Sequence, residues 1–566
     1  MKILLIYPYF LETRLHVEDI GSLPIGIYCV AAVLKENHYD VEILSWHNID
    51  KTPEKIEEIL TEKSPDVIGF SILNSNRWGG IEIARTAKHL DPDVKIVFGG
   101  IGATFLWEHL LRHFPEIDFI VLGEGEYAFL SLIKSIENED NEGLKNIKGI
   151  AFRENGKIKR TEDAEFIPDL DELPIPAHYF EYRILSSTRG CAWKCTFCGS
   201  PKFWGQKIRF RSPEKFVEEL EILYNKGITF FYFSDDNFTI DKDRVVEICK
   251  RILEKDIKIS WNAISRVDQV DDDLLFWMRK AGCIQISYGV ESGSEKIRDL
   301  LNKKINTDRI KKAFQATTRY GILARAYFIY GSPGETWETI HDTISLIHEI
   351  KPLSIIFYIL DIFPGTELYA DLESWLGLKD DIWLKPIEGI MFADTDPSLS
   401  DELILAFGKK LRTEFYDNIH AFVDSIHLID KKELYEMHSD FYSRLGMTFS
   451  HGDYSKIETI KGKDKIAEKL FSKSLSYYPN HRAYLGLGII KQKKREYEES
   501  IRILSKGIES FPDSEDLNIC LGINYMNLKD HKTALSYFLK FPDSKEGMYQ
   551  AARCYKELSG HAHESI

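Results

Sequence analysis

Three cysteines fall within eight residues, Cys191, Cys195 and Cys198, in the stretch STRGCAWKCTFCGSP. Their spacing is C-x3-C-x2-C. Thiolates this close can hold zinc, form a redox pair or ligate an iron–sulfur cluster. Structural zinc takes four protein ligands, commonly as two pairs. No second C-x-x-C completes such a set, and the nearest preceding histidine, His178, lies outside any zinc spacing. A catalytic dithiol uses two thiols, not three. Three thiolates on a [4Fe–4S] cluster leave one iron without a protein ligand, open to a substrate or cofactor. Ligand count and type point to the cluster.

The surrounding chain is long enough, at 566 residues, to need three or four separate cores. Its composition, 44% hydrophobic and 29% charged, is that of an ordinary soluble protein, and its net charge of −16 argues against binding bulk nucleic acid. No segment approaches the roughly 20 apolar residues that span a bilayer. MKILLIYPYF reads as a buried first strand rather than a signal peptide. The other five cysteines (Cys29, Cys249, Cys283, Cys520, Cys554) are scattered in apolar stretches, which suggests free thiols in a reducing cytoplasm.

Residues 1–145 alternate β-branched runs with amphipathic patterns: KILLIY, DVEILS, DVIGFSI, VKIVFGG and DFIVLG. Near-continuous apolar strands separated by helices mean an α/β fold with a parallel sheet covered on both faces. A doubly wound, Rossmann-like domain binds ligands beyond the carboxyl ends of its strands. Ser71 to Leu73, Gly99-Gly100 and the GEGE of Gly123 to Glu126 sit there. Residues 146–180 read as a hairpin turning at Asn155-Gly156, then a Pro-rich linker, IPDLDELPIPA. Over residues 181–370 six further strands alternate with helices, which fits a partial (β/α)6 barrel with its chemistry on the loops after the strands. The cysteine loop follows the first of them.

Residues 371–458 read as a helical, aromatic-rich extension (Trp375, Trp383, Phe392, Phe407, Phe415) that would roof the site. In residues 459–566 a motif returns: Gly488 and Gly522 are 34 residues apart. That period resembles tetratricopeptide (TPR) repeats, helix pairs that stack into a groove.

The cysteine loop resembles the signature of the radical S-adenosylmethionine (SAM) superfamily, and the barrel keeps further features of it. Phe197 occupies the aromatic position expected before the third cysteine. FSDDNF (233–238) follows the second strand, where the family places groups near the SAM amino group; Ser234, Asp235 and Asp236 are the candidates. YGVESG, YGSPGET and FPGTEL end the fourth, fifth and sixth strands. The resemblance implies a unique iron chelated by SAM, whose reductive cleavage yields a 5′-deoxyadenosyl radical. It also implies a low-potential electron donor such as flavodoxin or ferredoxin. Glu291 is read as a hydrogen-bonding partner of SAM. Arg266 and Arg325 could bind a carboxylate, or pair with Asp268 and Glu291. Asp235, Asp236 and Asn237 could also be no more than a turn that caps the next helix.

The first domain resembles the cobalamin-binding domain of the B12-dependent radical SAM class, through SLPIGIYCVAAVLK, SIL, GGIGATF and IDFIVLGEGE. The D-x-H-x-x-G motif of other cobalamin proteins is absent, and Gly102 stands where many relatives have His. The resemblance thus implies cobalamin without a His on cobalt, its lower face met by the loop from Pro8 to Leu23. Ser71, Leu73, Gly99, Gly100, Thr104, Gly123 and Glu124 are the candidate contacts, with helix capping the alternative for Ser71 and Thr104. His16 and His47 read as surface or satisfied histidines. A vestigial domain that only docks on the barrel is the bland alternative.

Together these expectations give a methyltransferase that moves a methyl group from SAM through methylcobalamin to an unreactive carbon or phosphorus. The alternatives are radical cyclisation or oxidation of a tetrapyrrole or other metabolite, and a repeat-based peptide-binding scaffold with a degenerate barrel. Methylthiolation fits less well, because no second three-cysteine site is present. The repeats could hold a peptide or protein partner. Substrate identity is not written in the sequence.

Overall fold

The protein is described here by a computed structural model covering residues 1–10, 24–45, 52–140, 142–377, 380–387, 390–391 and 398–560. His16, His47, Phe392 and all but the first residues of the Pro8–Leu23 loop lie outside the described residues. The chain forms two compact units. The first takes residues 1–313, 325–349 and 355–411; the second takes 314–324, 350–354 and 412–566.

In the first unit, the five apolar runs become β1 (Lys2–Tyr7), β2 (Asp40–Ser45), β3 (Val67–Ser71), β4 (Lys95–Gly99) and β5 (Phe119–Val121). They pair in parallel in the order β2-β1-β3-β4-β5. Helices Ile25–Glu36 and Arg77–Leu90, among others, cover the sheet. Chain order reverses between β1 and β3, and a sheet of this kind opens a crevice there. The hairpin then extends this sheet rather than standing apart. β6 (Ile150–Glu154) pairs antiparallel with β5, and β7 (Lys157–Arg160) with β6. Asn155 and Gly156 both take positive φ, 50° and 75°, the twist a two-residue hairpin turn needs.

The second sheet has six strands, β8 (Ile184–Leu185), β11 (Phe230–Phe233), β12 (Ser260–Ser265), β13 (Cys283–Glu291), β14 (Leu323–Tyr330) and β15 (Ser354–Ile359). They lie in sequence order from edge to edge, as a partial barrel requires. The stretch RILSST, expected as one strand, is two. After β8 the chain leaves the barrel, and β9 (Thr188–Arg189) pairs antiparallel with β10 (Arg209–Phe210). The cause is Asp235, whose Oδ1 accepts from Ser187 N–H, Ser187 Oγ–H and Thr188 Oγ1–H and pulls that segment aside.

Within the aromatic-rich extension, Trp383 is fully buried and donates to the Tyr369 hydroxyl at 2.8 Å. The Arg77 guanidinium of the first sheet's helical layer lies 5.1 Å over its ring. Trp78 Nε1–H donates to the Lys385 carbonyl at 3.0 Å. This part of the extension is core packed back onto the first domain, while Trp375 stands 77% exposed.

The second unit is helical. Helices His481–Lys493 and Tyr497–Ser510 are followed, at the same offset, by Glu515–Asn527 and His531–Phe538. A Cβ on Gly488 would come within 2.5 Å of Leu504, and one on Gly522 within 2.5 Å of Phe538. The two glycines therefore play one role, letting paired helices approach closely. Helix Tyr435–Ser450 packs on Lys463–Tyr477, so the stack begins upstream of residue 459. Among the described residues no helix is long and apolar enough to cross a membrane.

Candidate functional site

The site is a cavity of about 550 Å³ where the strand ends of the two sheets meet within the first unit. That volume is typical of ligand pockets. From the first sheet come Ser71, Leu73, Gly99, Gly100, Gly123 and Glu124, with Leu5, Gly69 and Phe129 at the crevice between β1 and β3. From the barrel come Ser186, Thr188, Arg189, Ser234 and Asp236, and Phe203 and Trp204 from the helix after the cysteine loop. Six of the seven residues expected to hold a cofactor in the first domain line this one space.

Missing side chains shape it. A Cβ on Gly26 or Gly123 would meet nothing within 4 Å, so both face open space. Gly100 has φ +91°, and a Cβ there would come within 2.8 Å of the Ile72 carbonyl oxygen. Gly102, the position at which many relatives have His, has the Leu73 and Asn74 backbone within 2.5–2.8 Å of a would-be Cβ. No side chain fits there. Leu73 itself is held by Asn76, whose buried Oδ1 accepts its N–H at 2.8 Å; the sequence reading passed over Asn76. This glycine-floored cradle fits a flat, bulky cofactor whose atoms must approach backbone.

Thr104 is the seventh residue and does not line the cavity. Its hydroxyl donates to the Gly100 carbonyl at 2.8 Å and accepts the Gly123 N–H at 3.0 Å. It ties two glycine loops together, a role that is neither the expected cofactor contact nor the helix cap offered as its alternative. Glu124 lines the cavity, yet its carboxylate is taken by Arg189 and Arg209.

The cysteine loop is fixed from below. Thr196 N–H donates to the Leu301 carbonyl, Asn302 Nδ2–H to the Lys194 carbonyl, and Leu368 N–H to the Thr196 carbonyl. Cys191, Cys195 and Cys198 are all half-buried and form no disulfide. Burial raises all three thiol pKa values, that of Cys198 to about 12. Bare thiols stay protonated there, so a cluster bound by them would displace their protons. Among the described residues no three His, Cys, Asp or Glu converge on a single-ion site. A cubane, by contrast, spreads its thiolates over separate irons, and this donor set fits it. Phe197 is half-buried beside Cys198.

The aspartate pair divides its work. Asp235 is buried and holds Ser187 and Thr188, with Arg244 donating to the same Ser187 Oγ and carbonyl. Asp236 projects into the cavity and accepts from Ser200 Oγ–H at 2.6 Å, and burial raises its pKa. Ser234 donates to the Leu185 carbonyl at 3.1 Å. Glu291 adopts a left-handed φ of +67° and pairs with Lys303 at 2.6 Å, both side chains buried. Gly289 makes room for that pair, since a Cβ there would strike both. Arg266 pairs with Asp268 at 3.1 Å and stacks on Trp193, 3.8 Å away, inside the cysteine loop. Lys303, unmarked by any sequence motif, thus takes Glu291 as partner. Arg325 lies on β14, outside the cavity lining.

The loop after β14 carries one more buried carboxyl. Glu335 Oε2 accepts the Gly331 and Ser332 N–H groups, while Oε1 is buried without a partner. Burial pushes its pKa up to about 7 from 4.5. The folded chain therefore keeps a proton there that the unfolded chain releases, so stability is full below pH 4.5 and falls as pH rises to about 7. Thermal unfolding at about pH 5.5 and about pH 8 should show Glu335→Gln with a smaller pH slope than the parent. Equal slopes would contradict this assignment.

Comparison with known proteins agrees with this geometry. Residues 185–347 match the model of the radical SAM superfamily, and residues 22–133 that of the B12 binding domain. An uncharacterized methyltransferase of Pyrococcus horikoshii is 32% identical over 381 residues, 65% of this chain and 82% of that protein. The anaerobic magnesium-protoporphyrin IX monomethyl ester cyclase of Rubrivivax gelatinosus is 29% identical, over 67% of this chain and 71% of its own. Among solved structures, the radical SAM methyltransferase TsrM of Kitasatospora setae, with cobalamin and a [4Fe–4S] cluster bound, superposes with a TM-score of 0.59. It is 17% identical and covers 83% of this chain and 100% of its own, a likeness of fold. Cysteine loop, glycine cradle and sequence kinship together make this chain a member of the radical SAM superfamily that carries a B12-binding domain, with a [4Fe–4S] cluster, SAM and cobalamin as its cofactors.

Proposed function

We propose that the chain is a cobalamin-dependent radical SAM methyltransferase acting on an unreactive carbon or phosphorus centre. One observation carries the reading: the glycine loops of the first sheet share a cavity with the segments on either side of the cysteine loop, Thr188 and Arg189 before it and Phe203 and Trp204 after it, while the three cysteines stand just outside that lining. The P. horikoshii relative and TsrM, both named methyltransferases, support it. When bound, the cluster and SAM supply a carbon radical, and cobalamin carries the methyl group.

The chain's own residues bind, orient and exclude water. Cys191, Cys195 and Cys198 hold the cluster. Gly99, Gly100 and Gly123 let the corrinoid approach backbone, with Ser71 and Leu73 beside them. Asp236 offers a carboxylate oriented by Ser200, and Ser234 lines the same wall, suited to the polar end of SAM. Phe197, Glu291 and Arg325 complete the candidate set on the barrel. Phe203, Trp204, Leu170 and Pro174 line the cavity with apolar surface that keeps water from a reactive centre. The class needs a reductant, and a flavodoxin or ferredoxin is the donor we infer. Eight unbonded cysteines suit work in the cytoplasm. The 34-residue helix pairs of the second unit are read as TPR-like, a surface for a peptide or protein partner.

The test follows the methyl group. Reduced, corrinoid-loaded protein is given SAM with a trideuteromethyl group, and the extracted corrinoid is weighed by mass spectrometry. The label should appear in the corrinoid fraction, with S-adenosylhomocysteine beside it. An unlabelled corrinoid with accumulating 5′-deoxyadenosine would contradict methyl transfer and favour cyclisation or oxidation. Gly26→Leu should lower corrinoid content severalfold while leaving iron unchanged, because Gly26 lines the cavity and a Cβ there meets open space. Wild-type corrinoid content in this variant would place the corrinoid elsewhere.

A further inference from the structure

We infer that Glu124 and Glu126 of the GEGE loop, with Arg189 and Arg209 of the barrel, form a clamp that sets the corrinoid at a fixed distance from the cluster. The inference rests on the reading that the corrinoid binds in the cavity and the cluster on the cysteine loop beside it. These four are positioning residues, not catalytic ones.

Arg189 ends β9, two residues before Cys191. Its Nη1–H donates to Glu124 Oε1 at 2.6 Å, and its Nη2–H donates to Glu126 Oε1. Arg209, on β10, donates through Nη1 to both Glu124 oxygens at 2.8 and 2.7 Å, and to the Ile167 carbonyl at 2.9 Å. Ile167 N–H returns to Glu124 Oε2 at 2.8 Å. One carboxylate thereby joins the first domain, the linker and the start of the barrel. The side chains of Glu124, Glu126 and Arg209 are 3–4% exposed and that of Arg189 is 12% exposed.

The pairing has a feature that folding alone does not call for. Arg189 and Arg209 are direct cross-strand partners in the β9–β10 pair. Like charges directly opposed on adjacent strands repel. Nε and Nη2 of Arg209 are buried without a hydrogen-bond partner; Glu124 supplies its counter-charge, beside the Ile167 carbonyl and the Phe166 ring 4.8 Å below the guanidinium. This short ribbon is stable only with a carboxylate supplied from the other domain. Trp204, a cavity wall, lies under both guanidiniums, at 5.5 Å from Arg189 and 5.9 Å from Arg209. Each end of the clamp is next to a cofactor element: Gly123 of the cradle precedes Glu124, and Gly190, with φ +102°, leads from Arg189 into the cluster loop.

The test uses the full chain loaded with cluster and corrinoid. The magnetic interaction between the reduced cluster and cob(II)alamin is read by pulsed electron paramagnetic resonance, with iron and corrinoid counted in parallel. Glu126→Gln releases one arm of Arg189 and leaves Glu124 in place. It should keep both cofactors at parent level while the cobalt–cluster distance distribution broadens and 5′-deoxyadenosine formed without acceptor rises severalfold. Arg189→Lys should broaden it likewise, since an ammonium cannot span two carboxylates in a fork. A distribution as narrow as the parent's in Glu126→Gln would overturn the inference. So would loss of both cofactors from Glu126→Gln, which would make the clamp support of the fold rather than of the distance. A parent chain without corrinoid would instead overturn the proposed function itself.

Discussion

Two arginines facing each other across a two-residue strand pair are a contradiction until a carboxylate comes between them. Glu124 is that carboxylate, and it belongs to the other domain. Stranding a buried guanidinium in this way costs about 3–5 kcal/mol. The cluster loop is therefore not an independent element. Its leading strand exists in this form because a turn of the Rossmann-like sheet is docked on it. The same turn presents Gly123 to the cavity, so the packing that stabilises the ribbon also brings the two cofactor elements together.

Local devices then refine the chamber. Asp235 holds Ser187 and Thr188 where the chain turns from the barrel sheet into β9. Thr104 joins the loops after β4 and β5, which keeps two glycine-rich backbones at a fixed separation. The strained Glu291, held by Lys303 over a glycine, is the kind of local cost that persists where surrounding structure enforces it. Each is a polar group tied into the backbone or to a charged partner, which lends rigidity where a radical must be kept from water.

Much of this was legible in the residues. The C-x3-C-x2-C spacing carried the cluster, and the five parallel strands of the first sheet followed from apolar runs whose ends the structure moves by no more than two residues. Six of the seven candidate residues of the first domain line the cavity because they sit at strand ends, a position that periodicity reveals. What was not legible depends on distant pairing. Nothing local separates Asp235 from Asp236, yet one props a strand and the other faces the cavity. Glu124 reads as a loop carboxylate until Arg189 and Arg209, 65 and 85 positions away, close on it. The hairpin joined the first sheet rather than forming a separate linker because β5 offered a free edge to pair.

The central claim is that this chain holds both a cluster, on its cysteine loop, and a corrinoid, in the adjoining glycine-lined cavity. Its most direct test is to purify the chain without oxygen from cells supplied with B12, then count iron, sulfide and corrinoid per chain. The account predicts the iron and sulfide of one [4Fe–4S] cluster together with close to one corrinoid. A full cluster with no corrinoid, even after refolding with B12, would contradict it.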